Sequence, residues 1–221
     1  IAALMVSLGD ADGMLCGLVG NFEGHLRQIS DVLGKAKGAS TFATCNALVL
    51  SERTLFIADT YVNEDPTAQQ LAEIAAMTVA EVQRFGIPPK VAFLSHSSFG
   101  SSSSASAKKM RLARDLFAAA NPDVECDGEM HGDAAMSDDI RKAYLPGSTL
   151  HGSANVLICP NLDSANILFN VLKMTSSEGV TVGPVLLGSS APVHILNPSS
   201  TVRRYVNMIA LAAANAGAGK A

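Results

Sequence analysis

Two stretches of the chain gather hydroxyl groups and positive charge in the way that sites for phosphorylated ligands do. The first is a serine-rich loop over residues 101–106, which begins at Ser101 and leads into a predicted helix with Lys108, Lys109 and Arg111 in its first turns. Free backbone N–H groups at a helix start, together with hydroxyls and cations, favour a phosphate group. The alternative is a flexible linker followed by a solvated helix face.

The second stretch lies near the carboxyl end of the sequence. A short apolar strand runs into a turn of small residues that includes Gly188 and Ser189, and a helix begins soon afterwards near Ser199, Ser200 and Arg203. We expect the turn and the helix start to receive part of a ligand, because helix N-termini favour phosphate. Capping of the helix alone would also explain the two serines.

Three further polar residues are candidates for ligand contacts. Asn161 and Asn166 follow the carboxyl end of a predicted strand, where ligands bind in open α/β sheets, although Asp163 between them also fits a plain helix cap. His194 could contact a ligand or could be a buried, hydrogen-bonded histidine. No histidine stands at metal-binding spacing from a cysteine, so we expect no metal site.

The composition restricts the class of protein. A length of 221 residues permits one large domain or two small ones, and a hydrophobic content of 48% is enough for a sizeable core. A net charge of −4 and the absence of Trp argue against nucleic-acid binding, and no apolar run reaches the roughly 18 residues of a membrane span. Four scattered cysteines without a CxxC pair and the lack of a signal peptide predict a cytoplasmic protein with reduced thiols.

Predicted strands alternate with predicted helices along the whole chain, and the central strands are apolar on both faces. This pattern is typical of an α/β fold with a largely parallel sheet that helices cover on both sides. Asp65 and Asp163 are predicted to cap the helices that follow them, and Ser137 a third. The strands are predicted at residues 14–19, 45–50, 54–58, 90–95, 125–128, 155–159 and 182–187, and the main helices at 23–33, 65–85, 106–120, 138–144, 164–174 and 200–214.

Several motifs together resemble phosphate acetyltransferases and butyryltransferases, the phosphotransacetylases. They are GDADGMLCG at 9–17, IADTYVNEDPTAQQLAEIA at 57–75, DGEMHGDAAM at 127–136, ANVLICPNLDSANILFNVLK at 154–173 and VGPVLLG at 182–188. The resemblance implies a three-layer α/β/α architecture of two subdomains, similar to isopropylmalate dehydrogenases. Residues 39–190 would form the second subdomain, and residues 1–38 and 191–221 the remainder of a first subdomain whose N-terminal part is missing.

A closer resemblance is to one branch, the phosphotransacetylase-like C-terminal domain of hybrid NADP-dependent malic enzymes. It rests on LSHSSFGSSSSASAKKMRLA at 94–113, DGEMHGDAA at 127–135 and PNLDSAN at 160–166. It implies malic-enzyme catalytic domains N-terminal to this segment, with NADP and a divalent Mg or Mn ion held there and no cofactor here. It also implies acetyl-CoA as an allosteric effector and a homo-oligomer, with dimers of these domains and a higher order in the parent.

The residues that carry catalysis in the resembled enzymes are replaced here. Where the family has a Ser-Arg pair and an Asp seven residues beyond the Ser, this chain has Asn197, Pro198 and Arg204. Asn and Pro supply neither a hydroxyl nor a base, and Arg204 reverses the charge, so we expect no catalytic residue. Arg27 aligns with a family arginine used toward phosphate or CoA, and the alternative is a surface arginine on an amphipathic helix. The alternative function is an active phosphate acyltransferase.

Overall fold

The computed structural model describes residues 1–176, 180–198 and 200–218, which form eight helices and eight strands. The helices are α1 (Ala2–Leu8), α2 (Phe22–Val32), α3 (Ala68–Arg84), α4 (Ala105–Ala120), α5 (Gly132–Met136), α6 (Asp138–Tyr144), α7 (Leu162–Thr175) and α8 (Val202–Ala218). The strands are β1 (Met14–Cys16), β2 (Ala43–Val49), β3 (Thr54–Ala58), β4 (Lys90–Leu94), β5 (Glu125–Met130), β6 (Val156–Ile158), β7 (Val180–Leu187) and β8 (Val193–Ile195).

A six-stranded sheet in the order β5-β4-β6-β3-β2-β7 forms the body of the molecule. The first four of these strands run parallel, and β2 runs antiparallel to both of its neighbours, β3 and β7. The predicted α/β fold with a largely parallel sheet is confirmed, and β2 and β3 form a hairpin. A separate sheet pairs only β1 with β8, in parallel.

Helices cover the large sheet on both faces because its strands are apolar on both sides. On one face, α3, α4 and α8 pack over a core that contains Phe56, Phe93 and Phe117, all fully buried. On the other face, Met130 and Phe169 join the helices α5 and α7 to strands β3 to β6. The result is three layers, with the carboxyl ends of the parallel strands free to carry loops at one edge of the sheet.

Two helix starts differ from the sequence prediction. Thr67, not Asp65, caps α3: its hydroxyl accepts the Gln70 N–H at 3.2 Å, and Gln70 answers by accepting the Thr67 N–H at 2.9 Å. Likewise Asn161, not Asp163, caps α7. Each predicted Asp lies two residues from the residue that caps the helix. The capping residue is the one whose side chain and backbone N–H both form hydrogen bonds with the third residue of the helix. Ser137 caps α6 as predicted, accepting the Ile140 N–H.

The small sheet joins the large one through a narrow junction. The N–H of Ala36 donates to the carbonyl of Gly188 at 2.9 Å, and Lys35 pairs with Ser189 as an isolated antiparallel bridge. Gly188 has φ of +78°, and a Cβ there would lie 2.5 Å from the carbonyl oxygen of Thr41. Glycine is therefore required at this position. The close approach of Gly188 to Thr41 fixes where the chain leaves β7 for β8.

Two chain-wide expectations concern membranes and cysteines. Within residues 1–176, 180–198 and 200–218, no helix is long and apolar enough to cross a membrane. The four cysteines are free thiols, three of them buried and Cys16 partly buried. Burial raises the pKa of Cys159 to about 12, so this thiol is protonated and packs as a small apolar side chain.

Replacement of Phe117 by Ala should destabilise the fold by about 3–5 kcal/mol, because it removes a fully buried ring from the core and leaves a cavity. The Phe117 ring centroid lies 5.8 Å from that of Phe93, so an aromatic contact is lost as well. Urea unfolding followed by circular dichroism measures the effect. The control is Tyr144→Ala, because Tyr144 is 79% exposed. Equal unfolding midpoints for the two variants would contradict the assigned core.

Candidate functional site

The candidate ligand-binding residues fall at four places in the structure. Residues of the serine-rich loop, α4 and α7 lie along the carboxyl edge of the large sheet. The junction holds Gly188, Ser189 and His194. Ser200 and Arg203 lie at the start of α8, and Ser199 lies outside the described residues. Arg27 lies on α2, where it forms an exposed ion pair with Glu23 at 3.2 Å.

The serine-rich loop is organised around a buried carboxylate, Glu129, at the end of β5. Arg111 donates to both oxygens of Glu129, from Nε at 3.0 Å and from Nη2 at 3.0 Å. The Ser97 hydroxyl donates at 2.7 Å and the Gly100 N–H at 3.0 Å. Ser101 stands behind this group, with its Oγ 3.2 Å from the Ser97 hydroxyl. Of the residues that we expected to hold a phosphate, Arg111 therefore binds an internal anion instead.

The electrostatics of Glu129 follow from this arrangement. Burial by itself raises its pKa, but hydrogen bonds from Arg111, Ser97 and the Gly100 N–H outweigh that effect and lower the pKa to about 2. Glu129 is thus ionised at neutral pH, with its charge balanced by Arg111. Of the predicted phosphate contacts in this region, Lys108 remains exposed on α4, whereas Ser101 is engaged within the loop.

Lys109, Asn161 and Asn166 lie along the same edge, and each has internal partners. The ammonium group of Lys109 contacts the carboxylate of Asp65 and, at 2.8 Å, the carbonyl of Pro160. Asn161 uses its side-chain oxygen to cap α7. Asn166 donates from Nδ2 to the carbonyl of Thr60 at 3.0 Å. The edge is therefore a connected polar surface rather than a set of free groups.

The turn after β3 contains a buried carboxylate, Asp59, that was not among the candidate residues. Asp59 is 2% exposed, and its carboxylate accepts hydrogen bonds from the backbone N–H groups of Thr44, Tyr61 and Asn63. It holds the Thr60 carbonyl in reach of Asn166. The IADTYVNEDP motif contained the signal, because an Asp directly after an apolar strand commonly organises a turn through its own side chain.

Asn197 and Arg204, which we expect to stand where the resembled enzymes carry catalytic groups, have hydrogen-bond partners within the protein. Asn197 accepts the hydroxyl of Ser200 at 3.0 Å and places its Nδ2 3.5 Å from the hydroxyl of Tyr61. Arg204 is 8% exposed and donates from Nη2 to Thr181 at 2.9 Å. Burial lowers the pKa of Arg204, and Tyr61 opposes this with a smaller effect.

Arg204 therefore places a buried cation beside the hydroxyl of Thr181. In the described part of the chain, no carboxylate lies within 4 Å of its guanidinium. A positive charge at this point cannot accept a proton from an attacking group.

A cavity of about 490 Å³ opens at the junction of the two sheets. We call it the junction cavity. His194 lies in its wall, is 2% exposed, and accepts the Leu186 N–H at Nδ1 over 3.2 Å. Burial lowers the pKa of His194 to about 4, so the imidazole is neutral. The cavity wall consists of residues Ala36, Lys37, Gly38, Ala39, Glu73, Ala76, Met77, Ala80, Glu81, Arg84, Leu186, Leu187, Gly188, Ser189, Ser190, Ala191, Pro192, His194 and Asn215.

Comparison with known proteins now identifies the family. The family profile described as "Phosphate acetyl/butaryl transferase" matches residues 1–213. The chain belongs to this family. It is 54% identical over 216 residues to the NADP-dependent malic enzyme of Salmonella typhimurium. The matched region covers 98% of this chain but only 28% of that enzyme. It is also 35% identical over 217 residues to the phosphate acetyltransferase of Nitratidesulfovibrio vulgaris, covering 98% of the chain and 31% of that enzyme.

Solved structures agree with the sequence relatives. A phosphotransacetylase from Streptococcus pyogenes superposes with a TM-score of 0.92 at 31% identity, covering 98% of this chain and 66% of that one. The resemblance to phosphotransacetylases and to the phosphotransacetylase-like part of malic enzymes is thereby confirmed. The chain spans about 28% of the length of its malic-enzyme relatives.

Replacement of Glu129 by Gln should remove a pH-dependent part of the stability. Because the folded pKa lies below the usual 4.5, ionised Glu129 stabilises the fold fully above about pH 4.5, and this contribution is lost as the pH falls toward 2. At neutral pH the variant should lose about 3 kcal/mol of unfolding free energy. Urea unfolding at a series of pH values measures the difference from the unaltered protein.

Glu23→Gln serves as the control for that experiment. Glu23 also pairs with an arginine, but its side chain is 80% exposed, so its loss should leave the unfolding midpoint nearly unchanged. A stability difference between Glu129→Gln and the unaltered protein that stays constant from pH 7 to pH 3 would show that the charge of Glu129 is not responsible.

Proposed function

We propose that this chain is a catalytically inactive, phosphotransacetylase-like regulatory domain of an NADP-dependent malic enzyme. The observation that carries the proposal is the buried guanidinium of Arg204, which donates to Thr181 where catalysis in the family needs an acidic group. Asn197 and Pro198 add to it, since neither can act as a base or an activated hydroxyl. The domain would bind acetyl-CoA as an allosteric effector and contribute to oligomerisation.

The relatives support a malic enzyme as the parent. A malic enzyme shares 54% identity with the chain, against 35% for the phosphate acetyltransferase of similar coverage. Catalytic domains N-terminal to this segment would oxidise and decarboxylate malate to pyruvate in the cytoplasm, using NADP and a divalent Mg or Mn ion. Within the described residues, no group of three or more His, Cys, Asp or Glu side chains is arranged to hold a metal ion.

Binding and assembly would be linked through the fold. We propose two subdomains, residues 39–190 and residues 1–38 with 191–221, that hold acetyl-CoA between them. Exposed apolar side chains at Val202, Val206 and Ile209 lie on one face of α8 and support an interface with another copy. Acetyl-CoA regulates the parent if it binds one global state better than another, and the coupling is then reciprocal.

The second candidate function is an active phosphate acetyl- or butyryltransferase. The 35% identity to a phosphate acetyltransferase across nearly the whole chain favours it. The apolar walls and turns of the scaffold suit a CoA thioester in either case. The two functions differ in whether phosphate attacks the bound thioester, and an acyl-transfer assay separates them.

The full-length protein should form no acetyl phosphate from acetyl-CoA and phosphate. The expected rate lies far below the roughly 1–1,000 per second of ordinary enzymes. The triple variant Asn197→Ser, Pro198→Arg, Arg204→Asp restores the family residues and provides the comparison. Turnover by the unaltered protein at an ordinary enzymatic rate would contradict inactivity and favour the second candidate.

Acetyl-CoA should change the malate-oxidation kinetics of the full-length protein. Allosteric coupling of 1–3 kcal/mol corresponds to an affinity change of about 5–150-fold, which appears in the malate concentration at half-maximal rate. Arg203→Ala should weaken the acetyl-CoA response if this exposed cation at the start of α8 contacts a phosphate. Arg53→Ala, at an exposed arginine in the turn between β2 and β3, is the matched comparison. An acetyl-CoA titration without any kinetic effect would favour a purely structural role.

A further inference from the structure

We propose that the junction cavity holds the uncharged acyl-pantetheine arm of the CoA thioester, with a carbonyl oxygen of the arm accepting the Nε2–H of His194. The inference rests on the proposed acetyl-CoA function and adds where the ligand inserts. It differs from a phosphate site at the carboxyl edge, whose cations Lys109 and Arg111 are already paired with Asp65 and Glu129.

The first support is a buried donor that lacks a partner. His194 accepts the Leu186 N–H at Nδ1, so the neutral ring carries its proton on Nε2. Nε2 is buried without a hydrogen-bond partner, and so is the hydroxyl of Ser189 in the same wall. Since leaving such groups unsatisfied is costly, the cavity is built to receive an acceptor. A carbonyl oxygen is an acceptor that suits either donor.

The second support is the shape and polarity of the cavity. Its volume of about 490 Å³ lies within the usual range for small-molecule sites. The α3 side presents Ala76, Met77 and Ala80, and the strand side presents Leu186 and Leu187. Small and apolar walls around two polar groups suit a slender chain with amide and thioester carbonyls.

The third support is the charge distribution. Glu73 accepts the Ser40 N–H at 2.6 Å, and Glu81 pairs with Arg84 at 2.9 Å. The one arginine in the wall is thus neutralised, and an anionic group inside would face two carboxylates. Lys37, which is exposed on a connecting segment, is the cation placed to meet the phosphates outside. The interior therefore fits the neutral arm of the ligand, and the opening fits its charged end.

The position of the cavity gives occupancy a structural consequence. Its walls combine α3, the end of α8 at Asn215, and both connecting segments, residues 36–39 and 188–192. Because the Ala36 N–H bonds to Gly188, these segments already lie against each other. A pantetheine arm inserted between these segments and α3 would contact both connecting segments at once. Ligand binding would then bias the arrangement of the junction, which is what an effector must do.

The test is equilibrium dialysis of labelled acetyl-CoA against the full-length protein and four variants. Ala76→Leu fills the cavity and should weaken binding at least tenfold. His194→Phe removes the donor and should weaken it by about threefold to tenfold, and His194→Gln, which keeps an N–H, should recover part of the loss. Ala119→Leu, the same change on an exposed face of α4, should bind as the unaltered protein does.

Two ligand fragments locate the effect. S-acetylpantetheine, which has no phosphate, should compete with acetyl-CoA for the unaltered protein and lose affinity in Ala76→Leu. Adenosine 3′,5′-bisphosphate should bind both proteins equally. Hydrogen–deuterium exchange provides a readout on the unaltered protein alone, where acetyl-CoA should protect residues 36–39 and 188–192.

Failures of the inference and of the proposed function are distinguishable. If acetyl-CoA binds the unaltered protein, and neither Ala76→Leu nor His194→Phe weakens it while exchange at 188–192 is unchanged, the cavity holds only water and the inference is overturned. The effector function then survives with a different site. If acetyl-CoA does not bind the unaltered protein, the proposed function fails and the inference fails with it.

Discussion

The close approach of Gly188 to the carbonyl of Thr41 is the constraint on which the site depends. No side chain fits there, since a Cβ would lie 2.5 Å from that oxygen, and the backbone has a positive φ. The turn can therefore lie against residues 34–36, where the Ala36 N–H bonds to Gly188. This contact brings the start of β8 beside the large sheet, positions His194 in the wall, and leaves the junction cavity between the two connections.

The rest of the site is a frame whose polar groups serve the fold. At the carboxyl edge of the sheet, Glu129 forms an ion pair with Arg111 and accepts hydrogen bonds from the segment that leads into the serine-rich loop. Lys109 forms an ion pair with Asp65. At the start of α8, Arg204 is buried against Thr181. A scaffold with these contacts can still hold a thioester through apolar walls and backbone turns. We propose that it does not consume the thioester, because a cation stands where the resembled enzymes would carry an acidic group.

The sequence predicted the fold because alternating strands and helices are local patterns, and the family motifs extend over almost the whole chain. It placed two caps wrongly, choosing Asp65 over Thr67 and Asp163 over Asn161, because a capping box needs a reciprocal bond that residue type alone does not reveal. The role of Glu129 was missed for a different reason. Its partners lie 18 to 32 residues away in sequence, so only the folded chain brings them together.

We propose that the chain holds acetyl-CoA without consuming it. Calorimetric titration of the full-length protein with acetyl-CoA, followed by recovery of the ligand after phosphate is added, tests this most directly. We expect a saturable heat of binding and a thioester recovered intact. Absence of binding heat, or a thioester converted to acetyl phosphate during the titration, would contradict it.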